Sequence, residues 1–248
     1  TAQAAGATLL AQTTAIGYFA EPGNVRQGVV IAAAGASHGK WNEATLVRVQ
    51  ARRWLWATGG YAANLPFANN DRPGVLAARA VGRLLAAHDI VAGDNIVMIV
   101  DGERGGVPSS EVRRHATAVA DALSDEGCVV RTVSLADVAT VATSLFGNDV
   151  TAIELSTGER IECDTVAVVA LPSPASEGAR MQGCDVTLDP DVGGYAVTVD
   201  AHGRTSVRGA YATGDVTGYL GPAAAAEHGQ HIGAAIVADL TAGAQHVG

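Results

Sequence analysis

Two apolar segments that lie far apart in the chain end with the same tripeptide. The first reads Trp56-Ala57-Thr58-Gly59 and the second reads Tyr211-Ala212-Thr213-Gly214. A glycine directly after a short apolar run is typical of a β-strand that stops at a tight turn. The repetition predicts that both strands belong to one α/β domain of the nucleotide-binding type, and that the residues between them form an insertion.

The residues before the first glycine turn have the alternating polarity of antiparallel strands. Turns at Pro22-Gly23-Asn24 and at Gly35–Gly39 separate three of these segments, which together predict an antiparallel β-meander. A fourth segment runs directly into the glycine turn. The predicted strands are Thr13–Ala20, Gly28–Ala34, Thr45–Val49 and Arg53–Ala57.

The middle of the chain has the β-loop-α-β order of a nucleotide-binding fold. Apolar residues at helical spacing predict a helix over Val75–His88, and the fully apolar run Asn95–Val100 predicts a central parallel strand. Ser109 or Ser110 is expected to cap the next helix. The other predicted elements of this block are a helix over Glu111–Leu123, strands at Cys128–Val133 and Thr165–Leu171, and a hairpin of Ala152–Leu155 with Ile161–Asp164.

The last block returns to the first domain. Strands are predicted at Tyr195–Asp200 and Val207–Ala212, and a long alanine-rich helix is predicted over Pro222–Leu240. The whole order predicts an α/β fold with two dinucleotide-binding domains and an antiparallel β-meander. Residues 1–72 and 173–248 are assigned to the first domain, and residues 73–172 to the second.

Charge and cysteine usage exclude several classes of function. The formal net charge of −9 argues against a nucleic-acid partner, which requires basic patches. Cys128, Cys163 and Cys184 are scattered, which excludes a C-x-x-C redox disulfide and a cysteine-rich metal site in this sequence. No signal peptide is recognisable, and no apolar run reaches the roughly 20 residues that a membrane span requires. A cytoplasmic protein is therefore expected.

The second glycine turn carries a candidate ligand-binding group. Asp215 follows Gly214 directly, so its carboxylate is placed to accept a hydrogen bond from a ligand hydroxyl. The helix that begins near Pro222-Ala223 presents free N–H groups and the positive end of its dipole, which favour negative charge. The alternative is an ordinary strand-to-helix turn with a solvated aspartate. The long helix and the second glycine turn favour the ligand site.

Several short motifs occur in order over nearly the whole chain. They are Ala57–Tyr61, Leu65–Phe67, Asn70–Val75, Arg83–Leu85, and Asp200–Ser206 leading into Tyr211–Gly218. In combination they resemble the pyridine nucleotide-disulfide oxidoreductase superfamily. Within it, the chain is similar to the FAD-containing alpha subunits of heteromeric sarcosine oxidases, dye-linked proline dehydrogenases, opine oxidases and hydrogen cyanide synthase.

The resemblance implies that the cofactor is FAD. The Thr58-Gly59 turn would lie against the phosphate and ribityl part of the flavin, and Asp215 would bind the ribityl or phosphate end. The helix at Pro222 would point at the isoalloxazine ring. Asp71–Pro73 resembles a structural junction between domains. The candidate cofactor-binding residues are Thr58, Gly59, Gly214, Asp215, Val216, Pro222 and Ala223.

Two features depart from the pattern of these relatives. Their FAD domain opens with a strand and a G-x-G-x-x-G loop that holds the pyrophosphate, and no segment of this sequence supplies one. The expectation is an N-terminally truncated flavoprotein fold whose pocket is completed by a companion chain. The middle loop Asp101–Pro108 is glycine-rich without the same pattern and carries Glu103 and Arg104. It leaves open both a site for NAD or another adenine nucleotide and an empty structural fold.

The expected function is that of a subunit of a heteromeric FAD-dependent dehydrogenase or oxidase of amines or amino acids such as sarcosine, proline or opines. A partner subunit would oxidise the small-molecule amine, and this chain would relay electrons. No catalytic acid or base is identified, because the flavin carries the hydride chemistry. Glu227, His228 and His231 fit a helix face better than a metal site, so no metal is expected. Two alternatives stay open: a scaffold subunit without flavin, and an NAD(P)H-dependent flavin reductase.

Overall fold

A computed structural model describes residues 3–21, 24–34, 45–101, 108–144 and 147–244 of the chain. Short 3-10 helices lie at Gln3–Ala5, Leu135–Asp137, Pro190–Val192 and Gly214–Thr217. In chain order, the strands and α-helices are β1 (Thr13–Glu21), β2 (Asn24–Ala34), β3 (Thr45–Val49), β4 (Trp54–Trp56), β5 (Gly60–Tyr61), β6 (Val75–Ala77), α1 (Ala78–His88), β7 (Asn95–Val100), α2 (Pro108–Asp125), β8 (Val129–Ser134), β9 (Val138–Thr143), β10 (Val150–Leu155), β11 (Arg160–Glu162), β12 (Thr165–Val169), β13 (Ser173–Pro174), α3 (Glu177–Met181), β14 (Val186–Asp189), β15 (Gly194–Val197), β16 (Ala210–Ala212) and α4 (Pro222–Ala244).

The chain divides into two compact units. Unit 1 consists of residues 1–59, 175–187 and 196–248, and unit 2 consists of residues 60–174 and 188–195. Each unit contains both helices and strands, which confirms the predicted α/β class. The assignment of the three predicted segments to functional domains stays a prediction.

A parallel sheet of four strands, in the spatial order β6-β12-β7-β8, forms the centre of unit 2. Successive side chains of a strand point to opposite faces, and both faces of this sheet are buried. Met98 packs on one face against residues of α1 and α2. Ile99 packs on the other face against Val141 and Ile153 of an antiparallel sheet with the order β11-β10-β9. The apolar run over Asn95–Val100 is therefore a central parallel strand, as predicted.

Unit 1 contains the antiparallel sheet β1-β2-β3, which confirms the predicted meander. It also contains a parallel pair formed by β4 and β16. Tyr18 of β1 makes an edge-to-face contact with Trp54, with ring centroids 5.6 Å apart. The indole Nε1 of Trp56 donates a 2.7 Å hydrogen bond to Oε1 of Gln182, and both residues are buried. Aromatic packing and this hydrogen bond join the meander and α3 to the strand pair.

Helix α4 is fastened to β16 through Asp239. The carboxylate accepts a 2.6 Å hydrogen bond from the Tyr211 hydroxyl and bonds of 2.8 and 2.7 Å from the Arg204 guanidinium. These charge-assisted bonds hold the pKa of Asp239 below its usual range, because they favour the carboxylate form. The C-terminal half of the helix is thereby fixed to the strand that carries the second glycine turn.

Two helix predictions need correction. Val75–Ala77 forms a strand rather than the first turn of a helix, because its backbone pairs with Val166–Val168 at the edge of the parallel sheet. Helix α2 begins at Pro108, so Ser109 and Ser110 lie inside its first turn instead of before it. Proline is favoured at the first helical position, where its missing N–H costs no hydrogen bond.

Other elements differ in extent or are absent from the predictions. The strand predicted over Val207–Ala212 is limited to its last three residues, because the N–H of Ala210 bonds to the carbonyl of Val207 in a turn. Strand β9 and helix α3 have no counterpart among the predicted elements. Among the described residues, no helix is both long and apolar enough to cross a bilayer.

Candidate functional site

The two glycine turns follow neighbouring parallel strands. Tyr211 pairs in register with Leu55, and Ala212 pairs with Trp56. The ladder continues for one more residue, because the N–H of Thr213 donates to the carbonyl of Trp56 over 3.0 Å. Parallel strands end at the same edge of their sheet, so the turns lie side by side. The predicted approach of the two segments is present in the structure.

Gly59 and Gly214 adopt nearly the same backbone conformation, with φ angles of +71° and +74°. Side chains other than glycine rarely adopt this left-handed region, which explains glycine at both positions. A Cβ placed on Gly59 would have no described atom within 4 Å, and one on Gly214 would meet only Cβ of Ala225 at 3.9 Å. The backbone therefore requires glycine, and the space beside both turns is open enough for a ligand to approach.

The Thr58 side chain makes a structural hydrogen bond, in addition to the cofactor contact that the sequence predicts for it. Its hydroxyl donates to the carbonyl of Ala175 over 2.6 Å, and the N–H of Ala175 donates to the carbonyl of Gly59 over 3.0 Å. The pair of bonds fixes the first glycine turn to the segment that precedes α3. Contact of Thr58 with a cofactor stays a prediction.

Asp215 and Val216 lie in the short 3-10 helix Gly214–Thr217 and differ in their surroundings. Oδ1 of Asp215 accepts a 3.0 Å hydrogen bond from the N–H of Leu220, while the residue remains half-buried. Its Oδ2 atom accepts no hydrogen bond from the described residues. Val216 is fully buried in the core of unit 1. One carboxylate oxygen is therefore available to a ligand, whereas the Val216 side chain packs the turn from inside.

Helix α4 begins at Pro222, as predicted. Pro222 and Ala223 are exposed, and the N–H of Ala225 donates to the carbonyl of Gly221 over 2.9 Å. The N–H groups of a first helical turn have no partner within the helix, so this end favours an anion or a developing negative charge. The chain places this helix end six residues beyond Val216.

The structure adds His228 to the residues of the second turn. Its Nδ1 atom accepts a 3.3 Å hydrogen bond from the N–H of Gly214. His231 instead contacts the carbonyl of Ala201 through Nε2 over 3.1 Å, and its ring stacks with that of His202. Within the described ranges, no three potential ligands are grouped around a metal position. The sequence shows the helical spacing of the two histidines but not which of them reaches back to the turn.

In unit 2, a cavity of about 260 Å³ opens near the carboxyl ends of β7 and β12. Ligands of open α/β sheets usually bind at this edge. The lining includes Asn64, Leu65, Asp101, Val112 and Leu171. Most of the predicted nucleotide loop, residues 102–107, lies outside the described residues, so binding of NAD or another adenine nucleotide there stays a prediction.

The three cysteines are buried and unpaired. Burial raises the pKa of the Cys163 thiol to about 11, and it also raises the pKa values of Cys128 and Cys184. A thiol with a raised pKa forms little of the thiolate that attacks a disulfide. The environment of these residues supports the exclusion of a redox disulfide within this sequence.

Residues 81–230 match the model of the pyridine nucleotide-disulphide oxidoreductase family. The chain belongs to this family. A glutathione reductase of Burkholderia cepacia is 37% identical over 79 residues, which is 32% of this chain and 17% of that protein. The match and the family model establish an oxidoreductase family, and they confirm the resemblance derived from the ordered motifs.

Solved structures with this fold cover most of the chain at low sequence identity. L-proline dehydrogenase from P. horikoshii superposes with a TM-score of 0.69 over 92% of this chain and 41% of that chain, at 18% identity. The NAD-dependent persulfide reductase from A. fulgidus superposes with a TM-score of 0.59 over 95% of this chain and 45% of that chain, at 19% identity. Thioredoxin reductase from T. acidophilum superposes with a TM-score of 0.56 over 92% of this chain and 74% of that chain, at 18% identity. The similarity confirms the two-dinucleotide-binding-domain fold, and the chain spans less than half the length of the first two proteins.

Proposed function

We propose that the chain is the FAD-binding part of a subunit in a heteromeric amine or amino-acid dehydrogenase or oxidase, and that it relays electrons. The observation that carries the proposal is the parallel pairing of β4 with β16, which sets the turns at Gly59 and Gly214 side by side. Such a pair offers a polar ligand two close backbone approaches at one sheet edge.

The residues at this edge suit the parts of FAD in different ways. The open turns at Gly59 and Gly214 would face the phosphate and ribityl region, where a side chain would obstruct the backbone. Oδ2 of Asp215 would accept a hydrogen bond from a ribityl hydroxyl, and the start of α4 at Pro222 would favour negative charge on the pyrimidine end of the ring. The flavin, when bound, supplies the hydride and electron chemistry, and this chain orients it.

The pyrophosphate would be held by residues outside this sequence. The 248 residues contain no G-x-G-x-x-G motif, and we propose that this loop comes from a part of the assembly outside them. The substrate class we propose is a small secondary amine or amino acid such as sarcosine, proline or an opine. The motif resemblance supports this choice, and the structural similarity to an L-proline dehydrogenase is compatible with it.

The local match to a glutathione reductase favours one second candidate, an NAD(P)H-dependent flavin reductase. The buried thiols argue against disulfide reduction by the cysteines of this sequence. The two functions differ in the electron donor. Rapid bleaching of the flavin absorption by NADH, in the absence of any amine, would favour the reductase, whereas bleaching by an amine alone would favour the dehydrogenase.

The test of the proposal is the flavin content of the native assembly, measured by visible absorption and native mass spectrometry. Asp215→Ala should weaken FAD binding about 10- to 100-fold, because a hydrogen bond to a charged group contributes about 1.5–3 kcal/mol. Asp189→Ala is the matched control, since that carboxylate also accepts a backbone N–H beside a 3-10 helix but lies in unit 2. A wild-type assembly without flavin bands would support the scaffold subunit instead.

A further inference from the structure

The N–H of Gly214 points at a side chain rather than into the open space beside the turn. Its acceptor is Nδ1 of His228, a half-buried residue in the second turn of α4. A ring nitrogen that accepts a hydrogen bond carries no proton, so the neutral imidazole has its proton on Nε2. The contact therefore selects one tautomer of His228 and one protonation state.

The contact adds one restraint to a turn that other hydrogen bonds already hold in part. The carbonyl of Gly214 accepts a 2.8 Å hydrogen bond from the Thr217 hydroxyl, which holds the outgoing side of the peptide. Gly214 has no side chain to pack, and its left-handed φ lies in a region that glycine leaves as readily as it enters. On the incoming side, the N–H of Thr213 bonds to the carbonyl of Trp56, and the bond to His228 restrains the next peptide, directly before Asp215.

We infer that His228 is a positioning residue for the flavin: by accepting from the N–H of Gly214, it sets the direction in which Asp215 presents its free oxygen. The inference rests on the proposed function and extends it to a residue that acts through the turn. It requires the His228 imidazole to be neutral, because only the neutral ring can accept this hydrogen bond.

Protonation reverses the role of Nδ1. The cationic ring carries N–H groups at both nitrogens, so Nδ1–H would face the N–H of Gly214 and the hydrogen bond would be lost. Flavin binding should therefore weaken when the His228 imidazole is protonated. Several other titratable or charged groups of the described residues lie on α4 and the elements packed against it. They are Glu227, His231 and Asp239 of the helix, Asp215 of the 3-10 segment, Tyr211 of β16, Arg53 directly before β4, and Asp200, His202 and Arg204 of the turn before β16.

The experiment measures FAD affinity in the native assembly at about pH 8 and about pH 5, on either side of the usual imidazole range. His228→Leu removes the acceptor, whereas His228→Asn keeps one, because Oδ1 of asparagine occupies the place of Nδ1 and does not titrate. His231→Leu is the control, since it removes a neighbouring imidazole whose contact is with Ala201 instead of the turn.

We expect wild-type affinity to fall at the lower pH. His228→Leu should bind FAD about 3- to 10-fold more weakly than wild type at about pH 8, as the loss of one neutral hydrogen bond predicts, and should differ little from wild type at about pH 5, where the wild-type bond is also lost. His228→Asn should restore the affinity and show a smaller difference between the two pH values than wild type. His231→Leu should keep the wild-type profile. Equal affinity and equal pH dependence in all four proteins would overturn the inference and leave the proposed function standing. A wild-type assembly that binds no FAD would overturn both.

Discussion

The two parallel sheets of this protein are stabilised in different ways. The four-stranded sheet of unit 2 is covered on both faces by apolar side chains, and four successive residues of β7, from Ile96 to Ile99, are at most 1% exposed. The pair formed by β4 and β16 in unit 1 has only two strands, and hydrogen bonds from side chains hold its ends. Apolar packing closes the faces of the first sheet, so its cavity lies beyond the carboxyl ends of β7 and β12, whereas the open space beside the second sheet lies at its glycine turns.

The comparison predicts that the largest loss of stability follows the shortening of a buried side chain in unit 2. Ile99→Ala should lower the free energy of unfolding by about 2–5 kcal/mol, because it removes buried methyl groups and leaves a cavity. Ile90→Ala, at a position that is 50% exposed, is the matched control and should cost far less. Chemical denaturation measures the free energy of unfolding of each variant, and hydrogen-exchange mass spectrometry shows where amide protection is lost. Loss confined to unit 1 would contradict the comparison.

A smaller effect is expected when one buried hydrogen bond of unit 1 is broken. Gln182→Leu leaves Nε1 of Trp56 buried without an acceptor, which should cost about 1–3 kcal/mol. The double variant Trp56→Phe with Gln182→Leu removes both polar partners, so its cost should be less than the sum of the single variants in a double-mutant cycle. Additive costs would show that the bond itself contributes nothing to the strand pair.

The first glycine turn should respond more weakly. Thr58→Val keeps the shape of the side chain but removes the donor to Ala175, so we expect a loss of about 0.5–1.5 kcal/mol, with faster amide exchange around Gly59. Thr187→Val, which breaks an exposed hydroxyl contact with Thr198, is the control and should change neither quantity appreciably. An amide-exchange rate at Gly59 that is unchanged in Thr58→Val would show that the Thr58 hydroxyl does not stabilise this turn.

A pH-dependent effect on stability is expected at the partly exposed carboxylate of Asp239. Its pKa is lowered in the folded protein, so its contribution to stability is complete above the ordinary carboxyl pKa of about 3.9 and is lost as the pH falls below it. Asp239→Asn should therefore be less stable than wild type at neutral pH, and the difference should shrink in acid. Asp191→Asn, at an exposed position, serves as the control. A stability difference between wild type and Asp239→Asn that grows in acid would contradict this prediction.

The sequence predicts the four-stranded sheet of unit 2 and the β-meander of unit 1 well, because the hydrophobic pattern specifies both. Ile96–Val100 and Val166–Val169 are short continuous apolar runs, as a strand buried on both faces requires. The start of α1 was placed three residues early, since Val75–Ala77 also fits a helical pattern. Its pairing with β12 depends on residues about ninety positions later in the chain.

For the candidate site, the repeated tripeptide was enough to place the turns at Gly59 and Gly214 together. It could not reveal that Thr58 is fastened to Ala175, or that His228 reaches back to Gly214. Those contacts depend on how α3 and α4 lie against the strand pair, and their residue types are common on any helix or loop. Contacts of this kind have no signature in sequence spacing.

The register of Trp54 with Ala210 also has a consequence for the order of assembly during synthesis. Strand β4 leaves the ribosome long before β16, its parallel neighbour among the described residues, has been translated. All four strands of the unit 2 sheet lie within residues 75–169, so that sheet can form while the nascent chain is still being extended. The pairing of β4 with β16 is thus completed after the unit 2 sheet can form, and until then that edge of β4 has backbone N–H and C=O groups free to pair with another strand.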